Sequence, residues 1–198
     1  MENLDFIKSE MLTHIPVCAH KEPQSILVIN GGKRVGRELE KYNSSFREIV
    51  HIDDIDTINQ LKNLGAKKFD IAIVSTPKYT NNREFWIELT KLLDSKGIVS
   101  IEMSNIITKK DSAKEELKLA GSIYPIVMPY RYDKAIYNDV VTSEYLMLAS
   151  RFYHPTSDIN LQRADLTDGF AYYNSDIAIA AFAVPTFIYK EYLGIIKR

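Results

Sequence analysis

Two rhythms of apolar and polar positions alternate along the first 120 residues. One is a short unbroken apolar run. The other sets apolar residues three or four apart. Leu4, Ile7, Met11 and Leu12 share one face of a helix over residues 2–14. His14-Ile15-Pro16 is expected to end it, because the residue before a proline avoids helical geometry. After the turn Lys21-Glu22-Pro23, Ser25 to Ile29 reads as a strand buried on both faces. It stops at Asn30-Gly31-Gly32, and a short helix starts at Gly36 and runs to Lys41. Glu48 to Ile52 is a second strand, ending in Asp53-Asp54. Asp56 is the expected cap of a helix from Thr57 to Leu64, closed by Gly65. Asp70 to Val74 is a third strand. Asn81-Asn82 opens a helix carrying Phe85, Trp86, Leu89, Leu92 and Leu93, ended by Gly97. Ile98 to Ile101 is a fourth strand, and Lys109 to Leu119 is a charged amphipathic helix ended by Gly121.

Strand followed by helix, four times over, predicts a parallel doubly wound α/β sheet with right-handed crossovers. After residue 121 the rhythm changes. Ile123 to Met128 and Tyr145 to Ala149 are strand-like, and only the polar stretch Arg131 to Asn138 lies between them. That pattern predicts an antiparallel pair closing the sheet. Residues 153–171 read as irregular. Ser175 to Tyr192 reads as a helix that Pro185 kinks or breaks.

The 198 residues suit one domain over residues 1–198 and a sizeable core. With 25 basic and 26 acidic side chains the net charge is −1, which argues against a dedicated nucleic-acid binder. No apolar run is long enough to span a bilayer, and the acidic start Met1 to Asp5 is no secretory signal. A lone cysteine, Cys18, forms no internal disulfide, so cytoplasmic residence is the expectation. Four histidines without ligand spacing predict no metal site. Ten of the 12 tyrosines fall between Tyr124 and Tyr192. They read as half-buried strand and helix residues in preference to an amine-binding pocket.

Ligands of open α/β sheets bind at the carboxyl ends of the strands. Three loops matter there. Asn30-Gly31-Gly32 lets backbone approach a nucleoside, or simply makes a turn needing positive φ. His51 and Asp53 end the second strand, where an acid commonly holds ribose hydroxyls; a solvated turn carboxylate is the alternative. Ser75-Thr76-Pro77 follows the third strand with hydroxyls but no carboxylate.

These residues fall into longer motifs. Glu10 to Pro16, then Ser25 to Gly32, resembles the start of the catalytic domain of the spermidine synthases, the polyamine aminopropyltransferases. Tyr172-Tyr173-Asn174 through Pro185 resembles their C-terminal motif. Phe69 to Val74 resembles their third conserved strand, and Met128-Pro129-Tyr130 with Leu148-Ala149-Ser150 resembles their hairpin. The resemblance implies a class I methyltransferase-like (Rossmann-like) sheet of about six strands. It also implies aminopropyl transfer from decarboxylated S-adenosylmethionine to putrescine. No separate cofactor is implied, because the nucleoside is itself the donor substrate. The expected ligands are a nucleoside and a polyamine, and a homodimer fits the exposed sheet edges.

The chain departs from the family pattern where chemistry is expected. The amine must be neutral to attack, so an acidic group takes its proton. The family's acid after the third strand is missing, since Val74 runs directly into Ser75-Thr76-Pro77. Lys33-Arg34 stand where the family has an acid among glycines. His51 replaces a ribose-binding Glu, Lys8-Ser9 replace a Tyr-His pair, and Ala178 replaces a motif histidine. Met1 falls close to where the family's catalytic domain begins, so its usual N-terminal β-rich domain is expected to be missing. Only Asp54 to Lys68 separate the second strand from Phe69, too few residues for an extra strand with two crossovers. The family's adenine-contacting edge strand is therefore expected to be absent.

Two readings follow. One is a divergent aminopropyltransferase using Glu102, Ser75 and Tyr130 in catalysis, with Asn30, Gly31, Gly32, His51, Asp53 and Thr76 holding the nucleoside. The other is a non-catalytic family remnant acting as a binding or assembly subunit. A small-molecule methyltransferase would share the fold but not the terminal motifs. Glu102 is expected at the end of a central strand, as a proton acceptor or as a carboxylate paired with a nearby cation.

Overall fold

A computed structural model describes residues 4–43, 45–53, 55–136 and 140–198. Its strands are β1 (Ser25–Ile29), β2 (Glu48–Ile52), β3 (Phe69–Val74), β4 (Leu93–Glu102), β5 (Ile126–Ile136) and β6 (Val140–Ser150). They form one six-stranded sheet in the order β2-β1-β3-β4-β6-β5. The first four are parallel, and β6 runs antiparallel to both β4 and β5. This is the doubly wound sheet that the pattern predicts and the class I methyltransferase-like sheet that the resemblance implies, with β2 at one edge.

Helices cover both faces. α1 (Phe6–Ala19), α2 (Gly32–Glu40), α6 (Leu161–Leu166) and α7 (Ser175–Ala181) pack with Ile26, Val28, Ile71 and Ile73. α3 (Thr57–Asn63), α4 (Arg83–Leu92), α5 (Lys110–Gly121) and α8 (Thr186–Glu191) pack with Leu27, Ile29, Ala72 and Val74 on the other face. β1 is buried throughout because both its faces meet helices, which explains its unbroken apolar run. Asparagines cap α4, α6 and α7: Asn82, Asn160 and Asn174 accept from the N–H of Phe85, Arg163 and Ile177.

Several expected boundaries shift. α1 passes straight through Pro16 to Ala19. Proline has no N–H for the carbonyl four residues back, that of Leu12. The Ser100 hydroxyl supplies the missing donor at 2.8 Å, so the break costs no unpaired buried carbonyl. α2 begins at Gly32, four residues before the expected Gly36. Asp56 precedes α3 but gives no side-chain cap; its carboxylate accepts from Asn59 instead. Gly97 lies inside β4 rather than ending α4. Residues 153–171 contain α6, which the irregular reading missed. β5 runs on through Arg131 to Ile136, so the polar stretch is strand where it is described; Tyr137 and Asn138 lie outside the described residues, as does Asp54. Pro185 does break the final helix, into α7 and α8.

Candidate functional site

The way α1 lies along β4 determines what meets at the strand ends. Ser100 on β4 holds the Leu12 carbonyl of α1. One helical turn before Leu12 is Lys8, and two residues after Ser100, on the same sheet face, is Glu102. Four helical residues rise about 6 Å and two strand residues rise about 6.6 Å. The two spacings match, so Lys8 arrives at Glu102. Its ammonium sits 3.0 Å from Glu102 Oε1. The Ser75 hydroxyl donates to the same oxygen at 3.1 Å. Glu102 is therefore at the carboxyl end of a central strand, partly open to solvent, and already holds a cation of its own chain.

The neighbouring loops are tied to this group through backbone. Asn30 adopts φ 54°, in the left-handed region that asparagine tolerates. Its amide donates to the Ser75 carbonyl at 3.2 Å, and its N–H reaches the Ile52 carbonyl at 3.0 Å. The ends of β1, β2 and β3 are thus joined. Gly31 has no room for a side chain: a Cβ there would lie 2.4 Å from Val28 Cγ1 and 2.8 Å from Val35 Cβ. The glycine lets the start of α2 press onto β1. Gly32, also at positive φ, faces open space. His51 is exposed, and with Gly32, Gly36, Arg37 and Glu40 it lines a shallow depression between β2 and α2. Asp53 is exposed at the end of β2.

Two expected site residues do not join this group. Tyr130 is wholly buried, its hydroxyl 2.6 Å from that of Ser100 and 3.4 Å from the Met11 carbonyl. Burial raises its phenol far above the ordinary tyrosine value, outweighing the Ser100 contact. It braces α1 against the sheet rather than reaching a ligand. Thr76 is buried, and its hydroxyl oxygen accepts from the Lys78 N–H at 3.2 Å, inside its own turn.

The structure gives Arg34 and Lys8 partners that the sequence reading did not point to, and adds Tyr132. Arg34 of α2 pairs with Asp5 at 2.9 Å at the rim. Tyr132 is buried nearby; burial first, then the carboxylates of Glu102, Glu144 and Asp5, push its phenol up. Lys8 itself was noted as a departure but not as a partner of Glu102. The signal was available in the helical spacing of Asp5, Lys8 and Leu12.

A second polar cluster lies two to six residues further along α1, and it is closed. Glu10 is 1% exposed and accepts from the N–H groups of Ala171, Tyr172 and Tyr173 at 2.8–2.9 Å. Lys41 adds an ion pair at 3.3 Å. Burial raises the Glu10 carboxyl, but the three N–H donors and Lys41 outweigh it, and the net shift is downward. His14 lies fully buried between Glu38 (2.8 Å) and Tyr42 (2.8 Å). Burial lowers its pKa, against the opposing pull of Glu38.

Among the described residues no His, Cys, Asp and Glu side chains group as a metal site, and no helix is long and apolar enough to cross a membrane.

Sheet order and the glycine loop after β1 define a class I methyltransferase-like fold, with a group of polar side chains at its strand ends. Comparison with known proteins narrows this. The family model of the spermine/spermidine synthase domain matches residues 5–58. A polyamine aminopropyltransferase of Helicobacter pylori is 23% identical, over 99% of this chain and 80% of that protein. One from Thermotoga petrophila is 24% identical, over 96% of this chain and 75% of that protein. Spermidine synthase solved with the transition-state analogue AdoDATO superposes with a TM-score of 0.82 at 21% identity, over 97% of this chain and 76% of that one. The spermidine synthase of Thermotoga maritima gives 0.81 at 21% identity, over 97% and 75%. The chain thus resembles the spermine/spermidine synthases along nearly its whole length at 23–24% identity, with the family model matching its first part.

Proposed function

We propose that this chain is a nucleoside-binding, non-transferring member of its family, with Lys8 seated where a transferase would need an open carboxylate. The observation that carries the reading is the Lys8–Glu102 contact at 3.0 Å, with Ser75 on the same oxygen. Aminopropyl transfer requires a neutral acceptor amine and a group to take its proton. It also requires negative potential to draw in a cationic diamine. Glu102 stands at the end of β4, and the two polar residues after β3, Ser75 and Thr76, carry no acid. With Lys8 upon it, Glu102 presents neither a free oxygen at Oε1 nor net negative charge to a second ammonium.

The nucleoside half of the reading rests on the surviving loop. Asn30, Gly31 and Gly32 offer backbone at the end of β1, and Asp53 and His51 lie exposed beside it. Methylthioadenosine, or decarboxylated S-adenosylmethionine, is the ligand of that chemistry. Titration calorimetry with both, beside a transfer assay with putrescine, tests the proposal. Saturable nucleoside binding without transfer is expected. Transfer that disappears in Glu102→Gln would establish the enzyme reading instead. No heat with either nucleoside would remove the binding function.

A further inference from the structure

The outer edge of β2 carries a row of peptide groups and side chains that complement a second copy of themselves. β2 ends the sheet. Its inner side is spent on the parallel ladder with β1. The Glu48 N–H donates to the Gln24 carbonyl at 3.2 Å, and the Ile52 carbonyl accepts from the Asn30 N–H at 3.0 Å. Peptide groups alternate in direction along a strand, so those of Ile49 and His51 point away from β1. Arg47, Ile49, His51 and Asp53 are all exposed, while Glu48 and Val50 are half-buried and Ile52 is buried. Ile49 is 39% exposed on this edge.

A twofold axis at Val50 would set Ile49 opposite His51 of the second copy, and Arg47 opposite its Asp53. The outward peptide groups of Ile49 and His51 fall in register for exchanged N–H to C=O bonds, as an antiparallel pair requires. The end charges meet as opposites, twice over. A parallel alignment would place Arg47 on Arg47 and is disfavoured. Neither Arg47 nor Asp53 makes an ion pair with any described residue, so both are available. We infer that this chain self-associates by antiparallel pairing of β2 with β2 about Val50, joining two sheets into one.

Sedimentation velocity across a concentration series tests this. Wild type is expected to form a dimer. Arg47→Asp and Asp53→Arg each turn two attractions into repulsions and should weaken association by about tenfold or more. The double variant R47D/D53R should restore it. A wild type that stays monomeric, or a dimer indifferent to both single changes, overturns the inference. So does a double variant without rescue. Should a charge variant fail to fold by circular dichroism, Val50→Cys carries the test. Under mild oxidant it should link to itself across the axis, whereas Ile49→Cys, facing His51, should not. Cys18 is buried and does not compete. Failure of Val50→Cys to cross-link would also overturn the inference.

Discussion

Helix α1 carries two polar clusters of opposite character. Around Glu10 and His14 both side chains are buried and paired, and their partners are three backbone N–H groups, Glu38, Tyr42 and Lys41. Around Lys8 and Glu102, one turn closer to the N-terminus, side chains are 31% and 19% exposed and meet through flexible ends. The residues that carry the family resemblance, Glu10, His14, Tyr172 and Tyr173, belong to the closed cluster. Lys8 and Ser75, where the chain departs from the family pattern, belong with Glu102 to the open one. Family likeness here records a scaffold clamp, and the chemistry beside it has been free to change.

Removing the clamp should have the largest effect. Glu10→Ala leaves the N–H groups of Ala171, Tyr172 and Tyr173 without their acceptor, while Lys41 keeps Glu38, and should cost about 3 kcal/mol in urea unfolding. Acid should loosen the same cluster in two steps. His14 titrates below its ordinary pKa of about 6.5 in the folded chain, so the unfolded chain takes up a proton that the folded one refuses. Stability is then complete above about pH 6.5 and falls as pH drops below it. His20, also held down by burial, adds to that window. The Glu10 contribution, from a lowered carboxyl, is lost further down, as pH falls through its folded pKa. Urea midpoints against pH should show the upper step shrinking in His14→Gln. The open cluster should behave differently. Lys8→Ala should change stability by about 1 kcal/mol or less, yet admit putrescine binding that wild type lacks, read by calorimetry. Arg34→Ala, at an ion pair 57% and 54% exposed, should shift stability least, by about 0.5 kcal/mol or under. A large loss there would erase the distinction between the two clusters.

Much of the fold was legible because burial on both faces writes itself into sequence as unbroken apolar runs, as in β1. The parallel sheet closed by an antiparallel pair and the break at Pro185 followed from the sequence pattern, and the short β2–β3 connection, set beside the family's pattern, pointed to the missing edge strand. Boundaries set by tertiary contacts were not legible. Nothing local reveals that Ser100 would satisfy the carbonyl freed by Pro16, so the helix was cut short. Nor could Gly97 be told apart as a strand residue. At the site, Glu102 does lie at a strand end as the pattern predicts, whereas Tyr130 is buried against α1. Whether a tyrosine on a closing strand faces a ligand or a helix depends on packing, and here the helix won.

The proline within α1 has a consequence for how such a site can evolve. With the Leu12 carbonyl held by Ser100, the helix cannot slide along the sheet by a turn without losing that bond. Position 8 is therefore an indexed slot. Whatever side chain mutation writes there is delivered to Glu102, while the Glu10 clamp two residues on keeps the address unchanged. A single codon at this slot can rewrite the charge of the strand-end site and leave the fold as it was.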